Sequence, residues 1–143
     1  MKIGELSQQT GVSSDTIRYY EKIGLLPEPH RDASNYRRYG EQHIKYLRFI
    51  KNCRQLDMAQ EEISRLLHLA TNPFEPCNEI NHLLNEHIQH VHERIQDLQQ
   101  VAILLSKIRE QCQHPNQVQH CGILEGLKNI EEWPNKSNRS HLN

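Results

Sequence analysis

Residues 3–24 read IGELSQQTGVSSDTIRYYEKIG, and this stretch decides the fold of the first part of the chain. Its first half ends at Gly11, a residue suited to the left-handed backbone that closes a helix. Ser13 and Ser14 then supply N-cap oxygens for a second helical segment, which ends at Gly24. The pattern predicts two short helices joined by a turn, which is a helix-turn-helix.

The second of these helices has a face suited to DNA. Ile17 and Tyr20 stand three positions apart and can both face the core. Cationic and hydroxyl side chains are left to project outward, and these are the groups that meet phosphates and base edges. From the spacing alone, an amphipathic hairpin with exposed basic residues is the alternative. The outward residues are Thr16, Arg18, Tyr19 and Lys22.

The next stretch contains Pro27 and Pro29, which exclude a continuous helix, and it leads to Tyr36-Arg37-Arg38-Tyr39. We expect a loop or a short hairpin there. Tyr hydroxyls and Arg guanidinium groups are strong phosphate donors, so this hairpin fits a wing that grips the DNA backbone beside the second helix. A Tyr–Arg stacking cluster that only pins the loop is the alternative.

The charge distribution gives weak support to a DNA-binding first half. Residues 1–70 hold eleven Lys and Arg against nine Asp and Glu, whereas residues 71–143 hold six against nine. An excess of two positive charges would equally suit an ordinary solvated surface. The DNA hypothesis therefore depends on the specific side chains of the helix and the wing.

Several segments of the first half carry a resemblance to a known family. They are IGEL at 3–6, TGV at 10–12, DTIRYYEK at 15–22, GLLP at 24–27, YRRYG at 36–40, residues 44–50 and residues 61–67. In these segments the chain resembles the winged helix-turn-helix of the MerR family of bacterial transcription regulators. At residues 57–60 the chain has Asp-Met-Ala-Gln where the family often has Gly-Phe-Ser-Leu, a departure at a helix start and away from the DNA face.

The resemblance implies roles for particular residues and partners. It implies that the chain binds a pseudo-palindromic double-stranded operator in an overlong promoter spacer, and that the effector makes this promoter readable by bacterial RNA polymerase. Tyr20 has two interpretations: helix geometry places it inward, toward the core, whereas the resemblance includes it among the residues of the recognition helix. The DNA-contact residues implied in this way are Thr16, Arg18, Tyr19 and Tyr20 on the recognition helix and Tyr36, Arg37 and Tyr39 on the wing.

Residues 78–111 contain neither proline nor glycine and predict one long helix. Apolar residues recur along it in steps of three and four, a heptad-like stripe in polar sequence. A helix of about 50 Å would leave this stripe in water, so we predict a coiled-coil homodimer. A helix folded back on the N-terminal domain is the alternative. The stripe consists of Ile80, Leu84, Ile88, Val91, Ile95, Leu98, Ala102 and Leu105.

Cysteines stand at both ends of this helix, and in one chain Cys77 and Cys112 would lie about 50 Å apart. An antiparallel dimer would instead bring Cys77 of one chain beside Cys112 and Cys121 of the other. Thiolates select soft or borderline metals, and three of them leave room for a fourth donor such as His114 or His120. We predict a metal site there, with two unremarkable loop thiols as the alternative.

The family resemblance extends to this site. Metal-sensing MerR proteins have a Cys…Cys loop after the dimer helix and a further residue at the helix start, where Cys goes with divalent ions, so Cys77 implies a divalent metal. The ending Cys-Gly-Ile-Leu at 121–124 resembles the branch that activates resistance genes in response to Cd(II) or Pb(II). Mercury sensors share the C-x8-C spacing, which keeps Hg(II) open. Zn(II) is a further alternative, although zinc sensors usually carry adjacent cysteines in the loop.

The predicted architecture is mostly α. The predicted parts are a MerR-type winged helix-turn-helix domain at 1–70, a linker and long antiparallel coiled-coil dimerisation helix at 71–111, a short metal-binding loop with a short helix at 112–128, and a disordered tail at 129–143. The longest apolar run, residues 101–105, is far below the ~20 residues that cross a bilayer, and the start lacks the pattern of an export signal. We therefore expect a cytoplasmic protein without membrane contact.

Other function classes are less compatible with the cysteines. A thiol enzyme or a thiol redox switch is disfavoured because the chain has no C-x-x-C pair. A dimer that binds DNA constitutively around a structural zinc ion is a further alternative. Cys53 lies on a predicted helix of the DNA-binding domain, and we expect it to be a small buried hydrophobe. The sequence thus predicts a regulator, not an enzyme.

Overall fold

The computed structural model of the chain describes residues 1–112, 117–131 and 133. The predicted metal donor His114 and most of the predicted tail at 129–143 lie outside these residues. By its internal contacts the chain divides into two compact units, Met1–Ile80 and a second unit that begins at Asn81.

The first unit is a helix-turn-helix followed by a wing and further helices. Its core is formed by fully buried aliphatic side chains that come from successive elements: Leu6, Ile17, Leu26, Leu47, Ile50 and Ile63. This arrangement confirms the predicted helical fold with an N-terminal helix-turn-helix. The elements are α1 (Ile3–Thr10), α2 (Ser14–Lys22), β1 (His30–Arg31), β2 (Arg37–Arg38), α3 (Glu41–Gln55) and α4 (Gln60–Leu69).

The turn between α1 and α2 forms for the local reasons that the sequence indicates. Gly11 has a φ of 71° and its N–H donates to the Ser7 carbonyl oxygen at 2.9 Å, which closes α1. The Ser13 hydroxyl accepts the Thr16 N–H at 3.2 Å and caps α2. Lys51 of α3 donates from Nζ to the Thr10 carbonyl oxygen at 3.2 Å, so a cation also stabilises the C-terminal end of α1.

A buried histidine joins the wing to α3. His43 accepts the Gly40 N–H on Nδ1 at 2.9 Å, and its Nε2 lies 3.2 Å from the Pro27 carbonyl oxygen. Because Nδ1 is an acceptor, the proton of the neutral ring stands on Nε2 and is donated to Pro27. The Tyr39 ring packs edge-on against His43, with the ring centroids 5.2 Å apart. The start of α3 is thereby fixed to the loop that precedes the wing.

The start of α4 shows the physical consequence of the departure at residues 57–60. Asp57 adopts a φ of 62°, a left-handed conformation that glycine adopts most readily. Ala59 is the N-cap residue and has no side-chain oxygen to offer, whereas the Glu62 side chain accepts the Ala59 N–H at 2.9 Å. The helix therefore starts with half of a capping box.

The second unit contains most of α5 (Asn78–Glu110), a 3-10 turn (Val118–His120) and α6 (Gly122–Lys128). The bounds of α5 agree with the predicted long helix to within one residue. Much of the predicted apolar stripe is open in the single chain, since Ile88, Ile95, Leu98 and Leu105 are 50, 46, 51 and 56% exposed. Among the described residues, no helix combines the length and apolar character that a membrane span requires.

Candidate nucleic-acid interface and metal centre

The outer face of α2 carries the predicted recognition residues. Arg18 is exposed and its Nη1 lies 3.1 Å from Asp15 Oδ1, an ion pair on the surface of the helix. Tyr19 is 46% exposed, and its hydroxyl donates to the Gln60 side-chain oxygen at 3.3 Å. Thr16 is half-buried at the start of the helix. Surface ion pairs are weak, so the Arg18 guanidinium can exchange its carboxylate partner for a phosphate.

Tyr20 and Tyr39, which were also predicted to contact DNA, lie in the core of the first unit. Tyr20 is 9% exposed, and burial raises the pKa of its hydroxyl. Tyr39 is 3% exposed and donates its hydroxyl to a carboxylate oxygen of Glu21. Burial, followed by this hydrogen bond to Glu21, raises the pKa of Tyr39 well above its usual value of 10.0. This burial counts against direct DNA contact by either ring.

One carboxylate that the sequence analysis did not single out organises the wing tip. Asp32 accepts the Ser34 and Tyr36 N–H groups on Oδ1, each at 3.0 Å, and Arg38 Nε on Oδ2 at 2.9 Å. The bond from the Tyr36 N–H, followed by the one from Arg38, lowers the pKa of Asp32. Tyr36 is held at the tip and is 65% exposed. An Asp two residues before a Ser is a typical turn signal that could have identified this role.

The predicted metal ligands are accessible, whereas the fourth cysteine is not. Cys77 and Cys112 are exposed, Cys121 is partly exposed, and none of the cysteines, all of which lie in the described part of the chain, forms a disulfide. Cys53 is 6% exposed, and burial raises the pKa of its thiol. The prediction that Cys53 is a buried hydrophobe is therefore confirmed. A thiol that is buried and kept protonated is a poor ligand.

The backbone at Gln111 contacts the backbone at Gly122 and closes the base of one loop. We call residues 111–112 and 121–122 the loop neck, and it includes Cys112 and Cys121. A Cβ atom added to Gly122 would lie 2.8 Å from the carbonyl carbon of Gln111 and nearer still to its oxygen, so the two backbones touch. Each cysteine is the chain neighbour of one contacting residue, a step of about 3.8 Å. The neck thus offers two soft sulfur donors, which fit a soft divalent ion that finds further donors.

The remaining predicted donors stand in different places. His120 is exposed and directly precedes Cys121. Cys77 precedes α5, whereas Cys112 follows it, and 33 helical residues separate them by about 50 Å. Within one chain, the length of α5 therefore keeps Cys77 away from Cys112. The three predicted thiolates can meet at one ion only if Cys77 comes from another copy of the chain.

Comparisons with known proteins agree with this description. The family model described as "MerR HTH family regulatory protein" matches residues 1–69, and the one described as "MerR, DNA binding" matches residues 44–111. The "HTH-type transcriptional regulator ZntR homolog" of Haemophilus influenzae is 44% identical over 110 residues, which cover 77% of this chain and 82% of the relative. The "Mercuric resistance operon regulatory protein" of Bacillus cereus is 34% identical over 126 residues, 88% of this chain and 96% of the relative.

A solved structure is similar over almost its whole length. The transcription regulator PbrR691 from Ralstonia metallidurans CH34, in complex with lead(II), superposes with a TM-score of 0.74 and is 39% identical, covering 89% of this chain and 98% of that one. The matched families and relatives are transcriptional regulators and not enzymes. The chain belongs to the MerR family of DNA-binding helix-turn-helix transcriptional regulators, and to its metal-responsive type.

Proposed function

We propose that the chain acts as an antiparallel homodimer that binds a promoter operator and activates heavy-metal resistance genes through bacterial RNA polymerase. The effector is a divalent soft ion, Cd(II) or Pb(II), held by Cys112 and Cys121 of one protomer and the partner's Cys77. When bound, the ion supplies a cross-link between the two protomers. His114 or His120 is available as a further donor.

The contact between Gln111 and Gly122 at the loop neck is the observation that carries this proposal. The backbone contact between Gln111 and Gly122 holds the two ends of the loop together next to Cys112 and Cys121, which supports an ion shared by their thiols. Two sulfur donors leave Cd(II) or Pb(II) undercoordinated, and the missing donor has to be an accessible one. Cys77 is exposed and precedes the N-terminal end of α5. In an antiparallel pair of α5 helices, this end lies beside the C-terminal end of the partner helix, which carries the partner's loop.

The exposed stripe on α5 supports the dimer. Four large apolar side chains that are about half exposed along one helix are costly in water, and a second copy of the same helix can cover them. In an antiparallel pair related by a twofold axis, the stripe of one helix contacts the same stripe of the partner helix. Dimerisation and completion of the metal site then follow from the same contact.

The names of the relatives guide the choice of ion. The structural neighbour that superposes over 98% of its length was solved with lead(II), which favours the Cd(II)/Pb(II) assignment. The names of two relatives keep alternatives open, because one is a mercuric resistance regulator and another is a ZntR homolog. Hg(II) or Zn(II) is accordingly the second candidate effector.

On the DNA side we propose direct contact by the exposed and half-buried residues and a supporting role for the fully buried ones. Thr16, Arg18 and Tyr19 on α2 would contact base edges or phosphates, and Tyr36 and Arg37 would grip the backbone from the wing. Tyr20 and Tyr39 would hold these elements in place from the core.

A metal titration tests the proposed function. The reduced, full-length protein is titrated separately with Pb(II), Cd(II), Hg(II) and Zn(II), with thiolate-to-metal charge-transfer absorption as the readout for the ions that show it and chelator competition for the others. The variants are Cys77→Ser and, as the matched control, Cys53→Ala at the buried thiol. We expect one ion per protomer, weaker binding in Cys77→Ser, and wild-type binding in Cys53→Ala.

A promoter assay completes the test. Cys77→Ser should abolish metal-induced transcription while operator binding stays intact, because the substitution changes none of the proposed DNA-contact residues. Wild-type metal affinity in Cys77→Ser would contradict a site shared between protomers. Promoter output that does not change with any of the four ions would favour a constitutive DNA-binding dimer with a structural metal.

A further inference from the structure

Glu21, near the C-terminal end of α2, joins the recognition helix to the wing. Its side chain is 9% exposed. One carboxylate oxygen accepts the hydroxyl of Tyr39, and the other lies 3.4 Å from Nε of Arg37. Both partners come from the end of the wing, so a single carboxylate connects the two elements that carry the proposed DNA contacts.

The burial of this carboxylate makes the connection specific. A buried charge is costly unless it is paired and hydrogen-bonded, so Glu21 favours the one arrangement in which both of its partners reach it. Tyr39 is itself fixed, because its ring packs in the core against His43. The position of Arg37 relative to α2 is therefore determined by groups that do not themselves face DNA.

Arg37 lines a polar cleft between α2 and the wing. The cleft has a volume of about 210 Å³, and the Arg37 side chain is 40% exposed beside it. Four cationic and two acidic side chains line this space, and the net charge of +2 favours an anion in the cleft. The lining residues are Arg18, Glu21, Lys22, Glu28, Pro29, Arg31 and Arg37.

We propose that Glu21 is a positioning residue for DNA binding, which holds Arg37 and the wing in register with α2 so that the cleft accepts a backbone phosphate. This inference rests on the DNA-binding function of the chain. It assigns no DNA contact to Glu21 itself. A carboxylate that contacted DNA would repel it, whereas this one acts by fixing a cation.

The direction in which Glu21→Gln changes DNA affinity distinguishes a positioning role of Glu21 from a purely electrostatic one. The full-length protein is titrated with a mixed-sequence DNA duplex of about 30 bp at low salt, where phosphate contacts dominate binding. The variant is Glu21→Gln, and the matched control is Glu28→Gln, which removes the same charge from the same cleft. Loss of a negative charge close to DNA by itself strengthens binding. Glu28→Gln should therefore bind more tightly than the wild type.

Glu21→Gln should bind about tenfold more weakly, the effect of one lost charge-assisted contact. The amide is neutral, so its contact with Arg37 loses the charge assistance that the carboxylate gives, even where the amide N–H donates to the Tyr39 hydroxyl. The affinity is measured at several salt concentrations. The slope of log affinity against log salt should fall by about 0.9 for each protomer that loses the Arg37–phosphate contact, whereas Glu28→Gln should not lower it.

Tyr39→Phe provides a second variant that keeps the ring in the core and removes only the hydroxyl. It should weaken binding in the same direction, and the double variant with Glu21→Gln should lose less than the sum of the two effects, because both act on one network. Circular dichroism verifies that each variant is folded. Tighter binding by folded Glu21→Gln, or an unchanged salt slope, would overturn the inference. Failure of the wild type to bind any duplex would instead contradict the DNA-binding function.

Discussion

Gly122→Ala is the substitution that tests most directly how the proposed metal-binding loop is held closed. The added Cβ would lie 2.8 Å from the Gln111 carbonyl carbon, and ordinary contact begins at 3.4 Å, so the two backbones must separate by at least 0.6 Å. Gly122 is not among the glycines with a positive φ, so alanine fits the backbone conformation itself. The contact with Gln111 is therefore the source of the expected cost.

The magnitude follows from this displacement. Overpacking costs about 1–3 kcal/mol, and ligands must be held to within about 0.5 Å for a site to keep its affinity. If the cost falls on the closed loop, metal affinity decreases by about 5- to 150-fold. Cys112 and Cys121 are unchanged in this variant, so donor chemistry cannot account for such a loss.

Gly126→Ala is the matched control, one helical turn along α6. Its Cβ would meet the side chain of the same Gln111, with Cδ at 3.0 Å, and a flexible side chain can move away. Affinity for Pb(II), measured by charge-transfer absorption in competition with a chelator, should stay close to that of the wild type. Equal affinity in Gly122→Ala and the wild type would refute the reasoning, and so would an equal loss in both variants.

Two further predictions concern the first unit. Ala59→Ser supplies the missing N-cap oxygen of α4 and should raise the free energy of unfolding by about 1 kcal/mol in denaturant titrations; no gain would contradict the assignment of Ala59 as an uncapped helix start. Asp32 has a pKa below its usual 3.8, so its contribution to the wing is complete above that pH and is lost as the pH falls through the lowered pKa. The amide resonances of Ser34 and Tyr36 should therefore titrate with a midpoint below 3.8. Asp32→Asn should abolish this titration, and a midpoint above that value would contradict the hydrogen-bonding scheme.

The parts of the fold that sequence predicts well are those determined by neighbouring residues. Gly11 and Ser13 mark the turn between α1 and α2, and both act within four positions along the chain. The long helix and its stripe are equally local, since they depend only on periodicity and on the absence of proline and glycine. In each case the physical cause lies within a few residues of the effect, so the pattern could be interpreted without a structure.

The site residues that were placed differently depend on contacts distant in sequence. Tyr39 has the interleaved Tyr–Arg pattern of a phosphate-binding wing, and only its partner 18 residues earlier, Glu21, shows that its hydroxyl faces inward. Gly122 likewise has no sequence signal for its role, because the residue it must accommodate, Gln111, lies across the loop. Spacing indicates which residue types are available, but it does not indicate which of them pack together.

The two candidate sites differ in how much of each is built within one chain. At the DNA interface, the recognition helix, the wing and the carboxylate that joins them all belong to the first unit, so their register is determined before a partner binds. At the proposed metal centre, one chain supplies the two thiols of the loop neck, and the third thiol is proposed to come from a second chain. A third donor from a second chain would make ion binding and dimerisation thermodynamically linked, because dimerisation would raise ion affinity by the same factor by which the ion strengthens the dimer. In a regulator of this kind, the DNA-binding surface is preformed within each subunit, and the contact between the subunits is the part that responds to the ion.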